Sequence, residues 1–171
     1  MVDRARSKVE DADDAEAVAA GMVDLLAERE PAQIVAFAQP LWDLLSISYR
    51  NDLWAAAYVM CGGASDDGFD YFRGWLIAQG REVFERSLAD PDSLAALPVV
   101  IVGAAEGRDD FECADVLSVA WDAYRRVTGG QLPSDAFTTN YPNLDPDWNF
   151  DFDDQEEMRR RLPRLTALFY G

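Results

Sequence analysis

The chain contains no histidine among its 171 residues. That absence removes imidazole acid–base catalysis, Ser-His and Cys-His nucleophile systems and His-ligated zinc. Cysteine is scarce as well. Cys61 and Cys113 are far apart, make no CxxC pair and provide no disulfide framework. Both sit among apolar residues, so buried thiols in a reducing compartment are expected. Positive charge is in deficit: 15 Lys and Arg face 32 Asp and Glu, for a net charge of −17 at pH 7. Such a field repels nucleic acid and anionic membranes at long range. It attracts a basic protein, a cationic small molecule or a divalent cation. The plainer reading of the same charge is solubility. No apolar run approaches membrane-spanning length, and MVDRARSKVEDADDAEA lacks the apolar stretch of a signal peptide. Internal repeats, low-complexity tracts and a glycine-rich phosphate loop are also missing. The expectation is a cytoplasmic protein with no cofactor and no nucleic-acid or membrane partner.

What is present is a large apolar complement. Hydrophobic residues make up 49% and aromatics 12%, enough for one real core at this length. Residues 1–14 are charged and poor in large apolar groups, which suggests a mobile acidic tail ahead of a single domain over 15–171. Val18, Met22, Leu25 and Leu26 share a helical face, and Ile34, Phe37, Ala38, Leu41 and Leu45 form the next stripe. Pro31 suits a first helical turn, whereas Pro40 inside the stripe should kink or split its helix. Residues 52–60 read as a short helix ended by Gly62-Gly63. Ser65 then caps a helix that is apolar on two faces, as expected of one buried between neighbours. Asp90-Pro91 opens a further short helix that Pro98 stops. Val99-Val100-Ile101-Val102 is the one β-like run in the middle of the chain, read as a strand or a buried connector. Asp109 to Thr128 is the clearest amphipathic helix, closed by Gly129. The fold class expected is all-α: a single irregular helical domain with at most a short strand pair.

The central segment carries a resemblance. Asp52-Leu53-Trp54-Ala55-Ala56-Ala57-Tyr58, Gly62-Gly63 and Ser65-Asp66-Asp67-Gly68-Phe69 are followed by Tyr71-Phe72-Arg73, Trp75-Leu76-Ile77, Gln79-Gly80-Arg81 and Asp90-Pro91-Asp92. Together they resemble an uncharacterised bacterial family, the domain of unknown function DUF4240. The late WNFDF segment and Arg161-Leu162-Pro163-Arg164-Leu165 look like the tail of actinobacterial members. The resemblance covers roughly Ala32 to Tyr170. It implies a small, mainly helical cytosolic domain and brings no activity with it.

Three clusters are candidates for chemistry. The first is Asp66, Asp67 and Asp70 with Arg73, beside Trp54, Tyr58 and Tyr71 at the Gly62-Gly63 turn. Carboxylates facing a guanidinium in an aromatic pocket could hold a polar ligand, or do acid–base work if burial raised one pKa. The plainer reading is helix chemistry: acidic residues favour a helix N-terminus, and Asp70–Arg73 is an i,i+3 pair. The second is the run from Asp145 to Glu156. Asp145, Asp147, Asn149, Asp151, Asp153 and Glu156 fall at the ligand positions of an EF-hand calcium loop. Phe150 stands where that loop needs glycine, so an extended segment with its aromatics on one face is the competing reading. The third is Arg159, Arg160, Arg161 and Arg164, which would dock an anion or pair internally as Glu156–Arg160 and Glu157–Arg161. Neither cysteine has a histidine to activate it.

These features lead to a non-catalytic acidic binding module, an immunity-type or regulatory accessory protein that engages a basic protein partner. The alternatives are an enzyme or small-ligand binder at the Gly62-Gly63 turn, and a calcium-responsive protein acting through Asp145 to Glu156.

Overall fold

A computed structural model describes residues 1–171. It holds ten α-helices: α1 (Val2–Arg6), α2 (Ala15–Ala27), α3 (Pro31–Ile47), α4 (Asn51–Met60), α5 (Asp66–Ala78), α6 (Arg81–Ala89), α7 (Pro98–Glu106), α8 (Asp115–Thr128), α9 (Gln155–Arg161) and α10 (Pro163–Phe169). Two 3-10 turns, Pro91–Ala96 and Pro146–Trp148, complete the regular structure, and there is no strand. The fold is all-α. No helix is long and apolar enough to cross a membrane.

Local chemistry sets most boundaries. Asp14 caps α2 by accepting from Ala17 N at 2.9 Å. The Gln33 side chain reaches back to Glu30 N at 3.3 Å to start α3. Ser65 accepts from Gly68 N at 3.2 Å to start α5. Gly62 and Gly129 end α4 and α8 at φ of 65° and 71°, a conformation in which a side chain would be strained.

α8 is the hub. It packs against α2 and α3, with α5 alongside. Val116, Val119, Ala120 and Ala123 are its buried face, while α5 buries Phe69, Phe72, Trp75, Leu76 and Ile77. α10 closes the far side by docking on α4 and on the Pro91–Ala96 turn, where a buried carboxylate fastens it. Asp92 accepts from Leu165 N at 2.8 Å, from Arg164 N at 3.0 and 3.1 Å, and from Arg164 Nε at 2.9 Å.

Four local expectations change. The VVIV run is the first half of α7. Pro98 starts that helix and Gly107 ends it in the left-handed region, and no neighbouring strand exists to favour the extended form. Pro40 leaves α3 unbroken. Both Pro40 and Ala36 are exposed, so water serves the carbonyl that Pro40 cannot. α8 begins at Asp115, six residues later than the pattern suggests, because Cys113 N donates to Tyr71 O at 2.9 Å and holds residues 109–113 outside the helix. Where the sequence suggests a mobile tail, α1 is docked. Ala5 is fully buried, Arg6 Nη1 donates to the carbonyls of Ala12 and Ala78 at 2.7 Å each, and Asp3 Oδ1 accepts from Arg81 N at 3.1 Å.

Candidate functional site

The seven residues singled out around the Gly62-Gly63 turn separate into four places. Trp54 stacks on Phe69 (centroids 4.6 Å apart, planes 14° apart) and donates Nε1 to Ala64 O at 3.0 Å. Beyond Phe69 lies Arg73, only 1% exposed. Its guanidinium lies 5.0 Å from the Phe69 ring centroid, 5.1 Å from that of Tyr49 and 5.5 Å from that of Tyr141. Nη1 donates to Leu45 O and Nη2 pairs with Asp70, while Nε has no partner. A charge this deeply buried survives because a carboxylate, a carbonyl and three ring faces replace its water. Its directed bonds tie α5 to the C-terminal end of α3.

Tyr58 belongs elsewhere. Its hydroxyl donates to Asp153, and its ring meets Phe152 edge-on at 5.7 Å. The bond to Asp153 holds the phenol protonated and pushes its pKa up to about 12. Asp66 and Asp67 stand exposed in the first turn of α5. Tyr71 contributes its carbonyl to Cys113.

Two clefts lie away from those residues. One, of about 660 Å³, runs between the C-terminal half of α3, the start of α4 and the irregular segment 138–145. Gln39, Asp43, Ser46, Arg50, Asp52, Thr138, Asn140, Asn143 and Asp145 make it polar, with Ile47 as its one large apolar residue. Arg50 is spoken for there: its head group grips Asp52 through Nε at 3.1 Å and Nη2 at 2.5 Å.

The other cleft, of about 570 Å³, lies between the start of α2, α7 and residues 108–112. Asp11, Asp13, Asp14, Glu16, Asp110 and Glu112 surround a floor of Trp75, Val99, Val102 and Phe111, and Arg108 is the only cation. Arg108 leans to Glu106 at 3.4 Å. On α7, Ile101 and Val102 are 45% and 49% exposed. Partial burial, with Asp109 close by, raises the Glu112 pKa. Arg6 Nη2 reaches Asp13 Oδ1 at 4.0 Å, while Asp11, Asp14, Glu16, Asp110 and Glu112 make no ion pair. The signal for this cleft was legible as two acidic runs, DADDAE and RDDFE, each broken by apolar residues. What hid it was the reading of the first run as a tail.

The remaining candidates have ordinary employment. Glu157 takes Arg160 at 2.5 Å and Arg161 at 2.6 Å. Hydrogen bonds from Arg160 and Arg161 lower its pKa to about 2. Glu157–Arg161 is the pair expected from the sequence, whereas Arg160 turns to Glu157 and leaves Glu156. Arg161 also covers Trp148 and Phe150, and Arg159 covers Tyr170. In the run from Asp145 to Glu156, Asp145 and Asp151 each accept from the backbone N–H two residues ahead, and Asp154 accepts from those two and three ahead. No three His, Cys, Asp or Glu side chains converge as a metal would need. Burial first, then Glu112, pushes the Cys61 thiol up to about 12. Burial raises Cys113 too. Neither is a thiolate near neutral pH.

No curated protein and no solved structure matches the chain. A family model does match, over residues 1–126, which take in α1, the acidic cleft and all but the last two residues of α8. The chain therefore belongs to the family described as Protein of unknown function (DUF4240).

Proposed function

We propose that this protein is a non-catalytic binding module, of the immunity or regulatory-accessory kind, that engages a basic protein partner through the acidic cleft between α2 and α7. One observation carries the reading: six carboxylates ring an apolar floor with a single arginine among them. A lysine- or arginine-bearing segment with apolar residues between its charges complements both parts. Its cations would face Asp11, Glu16, Asp110 and Glu112, and its apolar groups would cover Val102 and the edge of Trp75. The charge of −17 adds long-range attraction, which speeds encounter and weakens with salt. The chain has no histidine and neither cysteine lines the cleft, so the cleft offers no imidazole base and no thiolate.

The test uses a synthetic amphipathic lysine–leucine peptide as the probe and calorimetry as the readout. One variant carries Asp11→Asn, Asp110→Asn and Glu112→Gln. A control carries the same change in charge on other surfaces: Asp67→Asn, Asp135→Asn and Asp147→Asn. The cleft variant should bind about tenfold more weakly than the control, with a shallower salt dependence. Equal affinities for the two would refute the reading.

A further inference from the structure

From Leu97 to Ala105 no side chain is polar, yet α7 turns only one side of that run inward. Val100 and Gly103 are buried, while Pro98, Ile101, Val102 and Ala105 are exposed. Those four positions follow the i, i+3, i+4, i+7 spacing and fall within an arc of about 100° on the helix. That is the pattern by which a helix packs on a neighbour, and here it faces solvent. Met1, Ile47, Val127 and Tyr141 are the other large apolar side chains left exposed; only Ile101 and Val102 adjoin in the chain. The stripe is held outward. Gly103 seats α7 against Phe111 so closely that a Cβ there would lie 2.6 Å from Phe111 Cζ. Pro98 opens the helix, and at its other end Arg108 N donates to Gly103 O at 2.8 Å and Gly107 N to Ala104 O at 3.2 Å. α7 cannot roll to hide the stripe without losing that seat. Pro98, Val99 and Val102 also line the acidic cleft, whereas Ile101 and Ala105 do not, so the stripe starts at the cleft and runs away from it across α7.

Resting on the basic-partner reading of that cleft, we infer that the partner's contacting segment is an amphipathic helix, that it packs lengthwise on the outer face of α7, and that its lysines or arginines lie along one flank, over the carboxylates. Shape and charge together select this occupant. The chain has no strand, so no sheet edge is open to the main chain of an extended peptide. An outer helix face offers side chains alone, and its complement is a second helix whose apolar stripe repeats at the same spacing. From Pro98 to Ala105 the stripe is about 10 Å long, a length that about three turns of a partner helix cover. The six carboxylates of the cleft flank the Val102 side of the stripe. A cationic flank on the partner meets them while its apolar stripe covers Ile101 and Ala105. Because Phe111 and both helix ends already fix α7, its face needs no ordering on binding, which favours affinity. A second copy of this chain is a poor occupant, since each copy carries −17 and brings the same acidic rim.

The test is calorimetry on the full chain with two lysine–leucine peptides. One has its leucines at helical spacing. The other is the same peptide with its central lysines in the D form, which keeps charge and composition and breaks the helix. The parent chain should bind the helical peptide at least about tenfold more tightly than the broken one. Ile101→Gln combined with Ala105→Gln leaves the cleft lining untouched and places good helix formers at exposed positions. That variant should melt as the parent does and bind the helical peptide about tenfold more weakly, with the salt dependence unchanged because no charge is altered. Equal binding of the two peptides, or parent-like affinity in the variant, overturns the helical docking and leaves the acidic cleft as the site of a basic segment. A parent chain that binds neither peptide overturns both readings. A parent chain that dimerises in light scattering, with a variant that does not, overturns the docking too, because a second copy would then cover the stripe.

Discussion

Asp92 is the sharpest test of how this fold is held together. Its carboxylate is 6% exposed and accepts from two backbone N–H groups at the start of α10 and from Arg164 Nε. It acts as an N-cap supplied from 72 residues away in sequence. A hydrogen bond to a charged group nets about 1.5–3 kcal/mol, and an orphaned buried donor costs about 1–3 kcal/mol. Asp92→Ala strands the N–H of Leu165, which is fully buried, and unfastens α10. The Arg164 head is half exposed and keeps Asp90 as a partner, so its share of the loss is small. The sum expected is about 3 kcal/mol, or a fall in Tm of about 6–12 °C for a domain of this size. Asp92→Asn keeps one acceptor oxygen and should lose about half as much. Arg164→Ala should lose about 1 kcal/mol or less. Urea denaturation followed by far-UV dichroism measures all three. An Asp92→Ala chain within about 0.5 kcal/mol of the parent at unchanged slope would refute the capping argument.

Gly74→Ala should destabilise by about 1–3 kcal/mol in the same assay, because a Cβ there collides with the Cys113 carbonyl and comes within 2.9 Å of Leu117 Cδ1. The folded Glu157 pKa of about 2 lies below its ordinary 4.5. The stability its arginines confer is therefore present above pH 4.5 and lost as pH falls through 2. Glu157→Gln should lower stability at pH 7 and leave it unchanged near pH 1.5, as thermal melts at the two pH values would show. Tyr58 shifts the other way, from 10 up to about 12. Its contribution holds below pH 10 and disappears as pH rises through 12, so Tyr58→Phe should narrow the gap in stability between pH 9 and pH 12. Both thiols should react with an aromatic disulfide reagent far more slowly in the native chain than in urea, since burial raises both pKa values. Native reactivity equal to the unfolded rate would contradict that burial.

Helix identity was legible wherever local chemistry decides it. Ser65, Pro31, Gly62 and Gly129 act within one turn of themselves, and each marks a boundary where its chemistry says it should. The β-like 99–102 run was not legible, because branched residues favour strands only when a neighbour pairs with them, and none does. α1 was hidden by scale. Its core contact is one alanine, and what docks it is Arg6 reaching the carbonyl of Ala78, a partner far away in sequence. The same limit applies to the candidate site. Arg73 and Asp70 pair as their spacing predicts, but that spacing cannot say whether the pair lines a pocket. The three rings that enclose Arg73 come from residues 49, 69 and 141, and only tertiary structure brings them together.

The family match ends at residue 126, but the core does not. Met158, Leu162 and Leu165 lie beyond the match and are buried at 1% exposure or less. Asp92 lies inside it and caps a helix outside it. In this chain the α4 face and the Pro91–Ala96 turn of the matched region are covered by α10, which lies outside the match. That boundary also sorts the two surfaces. Every residue lining the acidic cleft falls between Asp11 and Glu112, so the matched region alone encodes it. The polar cleft is divided by it, with Gln39, Asp43, Arg50 and Asp52 inside the match and Thr138, Asn140, Asn143 and Asp145 outside. A binding role common to the family has to be written within residues 1–126, and the acidic cleft meets that condition. The polar cleft instead needs Thr138, Asn140, Asn143 and Asp145 from the C-terminal segment, so removing that segment should abolish it together with the fold's closure.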